Sequence, residues 1–265
     1  TAATLRLLPA PRARVTAWVG LRGVIAARTL LRQADRELGN ALEGFEIVPA
    51  HCLESVLVHL PDARSPLDQK HDWNALIECT SASADTAALQ EKLESVLATA
   101  LESGLISDAA IAANEAQAEQ FWTLRDSISP AERAIGPAMQ HDISVPVERM
   151  PEFILAAIPA IEQEFPGTTG AAFGHLGDGN VHFHVLAPQD AVAGVWEENE
   201  GKPVSARVHD LVTQWGGSIS AEHGIGQMKV EELGRLSDPV SLSMMRAVKA
   251  ALDPNGLLNP GKLVP

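Results

Sequence analysis

The chain has 265 residues, with 20 basic against 34 acidic side chains and a net charge of -14, which argues against nucleic acid or an anionic membrane surface as a partner. The length suffices for one large or two small domains, each with its own core. No apolar run approaches the roughly 18 residues of a membrane span, nothing resembles a signal peptide, and Cys52 and Cys79 lack a short metal spacing, so a reducing cytoplasm is the expected compartment.

Thr1 to Leu8 alternates like a strand and runs into Pro9 and Pro11, as the tail of a preceding domain would. Val15 to Gly20 predicts a strand. Arg22 to Leu38 predicts a helix, with Val24, Ala27, Leu31, Ala34 and Leu38 on one face and Gly39 as its stop. Phe45 to Pro49, Ser55 to Leu60 and Ala75 to Thr80 read as short strands, separated by a surface loop over Pro61 to Asp72. Asp85 to Ser103 is amphipathic, with Leu89, Leu93, Val96, Leu97 and Leu101 as its buried stripe. Asn114 caps a helix expected to stop near Pro130, which carries Phe121, Trp122 and Arg125. A strand over His141 to Val145, a helix over Pro151 to Phe165 with a kink at Pro159, a hairpin, a helix over Val204 to Trp215, a short strand at Ser218 to Ser220 and a helix over Val240 to Leu252 complete the chain. Strands interleaved with helices in this way make an α+β fold, an antiparallel sheet covered by helices. No residue-level internal repeat is visible.

Chemistry concentrates in Gly174-His175-Leu176-Gly177-Asp178-Gly179-Asn180-Val181-His182-Phe183-His184 and in Glu222-His223-Gly224-Ile225-Gly226. The glycines allow a tight turn, with Asp178 as a turn former, so that a hairpin brings His175 back toward His182. Alternation puts His182 and His184 on one strand face and Phe183 on the other. His175, His182 and Glu222 are suitable ligands for a zinc-like dication, which would lower the pKa of a bound hydroxyl and leave His223 as a base. Each histidine taken alone also suits an ordinary core or loop position. Arg125 offers a planar fork for a substrate carboxylate. There is no dinucleotide-binding glycine motif, P-loop or nucleophile elbow, so these residues leave metal-assisted hydrolysis and metal-assisted alcohol oxidation both open.

Those two stretches, extended to Ser218-Ile219-Ser220-Ala221 before Glu222 and joined by Leu252-Asp253-Pro254-Asn255-Gly256-Leu257-Leu258-Asn259-Pro260-Gly261-Lys262, closely resemble the C-terminal half of FAD-linked 2-hydroxyacid dehydrogenases of the vanillyl-alcohol oxidase superfamily. That group includes the D-lactate, glycolate and D-2-hydroxyglutarate enzymes. The resemblance implies a ferredoxin-like cap domain over 12–252, laid on FAD held mainly by an N-terminal domain. Residues 1–11 would be that domain's last strand and a linker, and 253–265 a tail docking toward it; without the FAD domain the chain would be inactive. The resemblance also implies His175, His182 and Glu222 as ligands of zinc or a similar metal, His223 as base, and Asn180 and Asn259 as cofactor contacts. Trp122-Thr123-Leu124-Arg125 matches the family's carboxylate-binding arginine, and Ser129 keeps a hydroxyl one turn later. Where the family carries a lysine this chain has Gln140, and His184 replaces an asparagine, both expected at the substrate. Losing that cation makes a monocarboxylic 2-hydroxy acid such as lactate as compatible as 2-hydroxyglutarate. The expected partners are thus a small 2-hydroxy acid and a downstream electron acceptor, with a homodimer as a possible assembly. A metal-dependent hydrolase, or a domain whose metal is only structural, is the alternative.

Overall fold

The computed structural model describes residues 2–7 and 9–265, which form two compact units, one of 1–134 with 175–177 and the other of 135–174 with 178–265. Residues 1 and 8, the ends of the first expected strand, lie outside the described residues; 2–7 are exposed and carry no regular secondary structure.

The first unit runs β1 (Ala13–Leu21), α1 (Val24–Leu38), β2 (Leu42–Pro49), α2 (Ala50–His59), β3 (Trp73–Ser81), α3 (Thr86–Glu102), β4 (Ile106–Ile111), α4 (Glu115–Asp126) and α5 (Ile128–Ile135). Its strands lie in the order β4-β1-β3-β2, every pair antiparallel. With α2 set aside this is the ferredoxin-like β-α-β-β-α-β arrangement. Both faces of β1 are buried. Trp18, opposite Leu76 in the register, meets Phe121 of α4 edge-on, at 6.1 Å between ring centres, and donates its indole N–H to Asn74 at 3.2 Å. The alternate residues Ala17, Val19, Ala75 and Ile77 are equally buried and supply the face that packs with α1 and α3. Three expectations change here. Ser55 to Leu60 lies in α2 and its loop, not in a strand, because a six-residue apolar run fits both periods and Cys52, Leu53 and Val56 supply the helical one. The Asn114-capped helix breaks at Ser127, and α5 restarts with Pro130 in its first turn, where a missing N–H costs nothing. In α3 the buried stripe ends on Ala100, while Leu101 is 43% exposed.

The second unit contains β5 (Ala138–Ser144), α6 (Met150–Glu164), β6 (Thr169–His175), β7 (Asn180–Leu186), α7 (Lys202–Gln214), α8 (Val230–Leu236) and α9 (Pro239–Leu252). Its ladder is β6-β7-β5, again antiparallel. The expected strand at Ser218–Ser220 shrinks to a two-bond bridge between Ser144 and Ser218 (3.0 and 2.8 Å). Counting that bridge as a fourth strand gives bridge-β5-β7-β6, the connectivity and order of the first unit over again. Phe153 of α6 packs on Phe183 (5.9 Å) and on Trp215 (6.0 Å), and Pro159 lies inside α6 without ending it. On α9 Leu242 is buried, whereas Val240, Met244, Val248 and Leu252 are exposed. No helix among the described residues is long and apolar enough to cross a membrane.

The revised stripe of α3 has a measurable consequence. Leu93, fully buried, should lose about 2–5 kcal/mol of stability on change to Ala. Leu101→Ala should stay within about 0.5 kcal/mol of the parent. Denaturant unfolding of the two variants distinguishes this stripe from the one read in the sequence.

Candidate active site

The histidine hairpin, between β6 and β7, turns through 176–179. Asp178 accepts the backbone N–H of Asn180 at 2.9 Å, and Gly179 has φ +82, where an added Cβ would sit 2.1 Å from the carbonyl oxygen of Val145. The register places Phe173, not His175, opposite His182. Across the other side of β7, Asp142 stands opposite His182 and Gln140 opposite His184, so these four share one face as the alternation of the sequence requires. His184 is buried with its ring edge-on to Phe173 at 5.0 Å, His182 is half-buried at 5.2 Å from the same ring, and Gln140 is exposed.

The residue that organises this end of the second unit is Asp142, inside a stretch the sequence marks only as a strand. It is 4% exposed, and its Oδ2 accepts the backbone N–H groups of Ala221 (3.2 Å), Glu222 (2.9 Å) and His223 (2.8 Å). Three successive amides curled around one carboxylate oxygen form an anion nest. Lys229 closes the arrangement by donating to the carbonyl oxygens of Asp142 (3.2 Å) and Ile219 (2.8 Å). Burial alone would raise the Asp142 carboxyl; the amides of His223 and Glu222, helped by the charges of His223 and Lys229, outweigh it and hold the carboxyl below its ordinary value. Gly217 permits the approach of this segment, since a Cβ there would lie 2.2 Å from the carbonyl oxygen of Ser144. The His223 ring is 72% exposed, with Nδ1 3.8 Å from Asp142 Oδ2, and Glu222 is exposed beside it. Asp142 Oδ1, Ser220 Oγ and both side-chain polar atoms of Asn180 are buried without a hydrogen-bond partner among the described residues.

The first unit holds the other expected groups. Arg125 does not sit on the helix surface: its side chain is 12% exposed, and its Nε donates to Glu46 at 2.8 Å. Glu46, in β2, is 1% exposed; its other oxygen pairs with Nδ1 of His175, and Nη2 of Arg125 lies 3.3 Å from Nε2 of that ring. Burial would push the Glu46 carboxyl up, but the hydrogen bond from His175 and the charge of Arg125 hold it below the usual carboxylate range. One turn earlier on α4, Trp122 donates its indole N–H to Glu78 of β3 at 2.8 Å. Ser129 is half-buried in α5, and Asn259 is exposed in the tail with φ +46.

The three expected metal ligands are divided, His175 going with the first unit and His182 and Glu222 with the second. Among the described residues no three His, Cys, Asp or Glu side chains are gathered into a metal-holding group. His175 points one nitrogen at a carboxylate and the other at a guanidinium, a cation beside the lone pair that a metal would use. As arranged, this residue does not fit a dication.

The nest around Asp142 can be tested on its amides. Hydrogen bonds to a charged acceptor are worth about 1.5–3 kcal/mol, so Asp142→Asn should speed amide hydrogen exchange at 221–223 at least tenfold. A carboxyl held below its ordinary 3.8 contributes fully above that pH and loses its contribution as pH falls through the lower folded value. Protection at 221–223 should therefore be intact at pH 5 in the parent chain, and unchanged exchange in the variant would contradict the nest.

Relatives of the chain agree on one group. The sequence profile of FAD linked oxidases, C-terminal domain, matches residues 10–263. Mitochondrial D-2-hydroxyglutarate dehydrogenase of Arabidopsis thaliana is 34% identical over 256 residues, covering 94% of this chain and 43% of that protein. D-2-hydroxyglutarate dehydrogenase of Xanthomonas citri is 35% identical over 223 residues, covering 84% of this chain and 46% of that protein. The chain thus spans less than half the length of these relatives. Among solved structures, 4-ethylphenol oxidase from Gulosibacter chungangensis superposes with a TM-score of 0.65 at 14% identity, covering 98% of this chain and 56% of that one. For p-cresol methylhydroxylase the TM-score is 0.61 at 12% identity, with 95% and 53% covered, a likeness of fold alone. With an antiparallel α+β architecture and a profile match that takes in both units, the chain belongs to the family of FAD-linked oxidase C-terminal domains.

Proposed function

We propose that this chain is the substrate-binding cap of a flavin-dependent dehydrogenase that oxidises a D-2-hydroxy acid to the 2-oxo acid, with residues 12–252 as the cap and 253–265 as a tail that docks toward the flavin-holding part. The observation that carries the reading is the nest around Asp142, which fixes the peptide of His223 and leaves its imidazole exposed. When bound, FAD supplies the two-electron acceptor for the hydride on C2 of the substrate. The orphaned amide of Asn180, a buried donor and acceptor side by side, suits a ring edge that carries a carbonyl next to an N–H. His223 takes the hydroxyl proton as C2 loses its hydride, and an imidazole serves as a base near neutral pH. Arg125 holds the substrate carboxylate through its two Nη groups, its Nε being committed to Glu46.

The relatives' names favour 2-hydroxyglutarate. The neutral, exposed Gln140 leaves the position of the family's lysine without a charge for a second carboxylate, and an exposed ion pair there is worth only about 0.2–1 kcal/mol. Lactate-type and 2-hydroxyglutarate-type substrates are therefore both within the proposal. The family resemblance adds a divalent ion at His175, His182 and Glu222; the geometry offers it no finished cradle, and no step is assigned to it. One metal ion per full-length protein, lost in His182→Ala on elemental analysis, would establish that ion.

The test is rapid mixing of the full-length flavoprotein with D-lactate and with D-2-hydroxyglutarate, monitored at the flavin absorbance. His223→Ala should slow reduction by the better substrate at least 100-fold, within the roughly 10²- to 10⁴-fold range of general-base catalysis. Near-normal reduction in the variant removes His223 from the reaction, and failure of both acids to reduce the parent flavin removes the substrate class.

A further inference from the structure

A buried carboxylate is costly unless charge and hydrogen bonds compensate it, so its partners indicate why it is there. Glu46 uses both oxygens, Oε2 for Nε of Arg125 (2.8 Å) and Oε1 for Nδ1 of His175, while Nη2 of Arg125 reaches Nε2 of His175 at 3.3 Å. These contacts close a three-membered cycle, in which the buried Glu46 carboxylate accepts the Nε–H of Arg125 and so fixes the plane of its guanidinium.

The cycle is not needed merely to dock α4. Trp122, three residues before Arg125, already ties the helix to the sheet through Glu78 at 2.8 Å, and Phe121 packs on Trp18. We propose that Glu46 is a positioning residue for the reaction, which aims the Arg125 guanidinium at the substrate carboxylate. This rests on the reading of Arg125 as the carboxylate clamp, and goes beyond it in assigning the aim of the clamp to a carboxylate buried on β2. Glu46→Gln keeps the size of the side chain and removes the charge that holds the Nε–H of Arg125, so the guanidinium loses the acceptor that orients it.

The experiment uses the full-length flavoprotein and compares Glu46→Gln, Glu46→Asp, Glu78→Gln and Arg125→Lys by steady-state kinetics and melting temperature. The expected result is a rise of at least tenfold in KM for the D-2-hydroxy acid in Glu46→Gln, with a smaller change in kcat. Glu78→Gln should lower the melting temperature yet leave KM within about twofold, the size of change expected of a helix anchor outside the clamp. Equal KM effects at equal loss of melting temperature in the two glutamine variants would make Glu46 a structural anchor and overturn the proposal. If Glu46→Gln does not fold, Glu46→Asp decides: it keeps the charge but withdraws the carboxylate from Nε of Arg125 by one methylene, and an unchanged KM in that variant contradicts the role. Arg125→Lys without effect on KM would remove the clamp and this role for Glu46 together; Arg125→Lys raising KM while Glu46→Gln does not would remove the Glu46 role only.

Discussion

Asp142 keeps a carboxylate almost wholly out of water, and the peptide N–H groups of Ala221, Glu222 and His223 are what make that tolerable. The dependence runs both ways. The segment that follows the Ser218 bridge has no ladder of its own, so its backbone amides need an acceptor, and a strand carboxylate roughly 80 positions earlier supplies one. Strand β5 thereby decides where an exposed imidazole stands. The first unit follows the same logic with Glu46, whose donors are the side chains of Arg125 and His175 instead of amides. In both units the groups with a proposed chemical role double as the compensation for a buried negative charge.

The parallel extends to topology. With α2 set aside, each unit passes through strand, helix, strand, strand, helix and strand, with its last strand added beside its first. In each, the segment with a proposed chemical role follows that last strand directly: β4 leads to Asn114 and the helix that carries Arg125, and the Ser218 bridge leads to Glu222 and His223. The second copy of the arrangement is worn down to two hydrogen bonds at its final strand.

Much of this was legible in the sequence, for reasons that can be named. His182 and His184 fall on one face because strand period is two, and Asn114 caps its helix as side-chain acceptors do anywhere. Arg125 stood out through its aromatic neighbours. Glu46 and Asp142 did not stand out, since a single carboxylate inside an apolar run looks the same whether it faces solvent or a partner 79 or 80 residues away. The hairpin was expected to turn His175 toward His182; the residue paired directly with His182 is Phe173, two positions before His175, and His175 also meets Glu46, a long-range pairing that no local pattern encodes. The repeat escaped notice because it lives in strand order, which residue identities do not print.

Two glycines press on the same short stretch of β5 and its exit: Gly179 against the carbonyl of Val145, and Gly217 against that of Ser144, each within van der Waals reach of a missing side chain. A methyl group at either would press on main chain next to Asp142, on the strand whose carboxylate gathers the three amides. The tightest steric constraint beside Asp142 is thus the empty space that two hydrogens leave behind them.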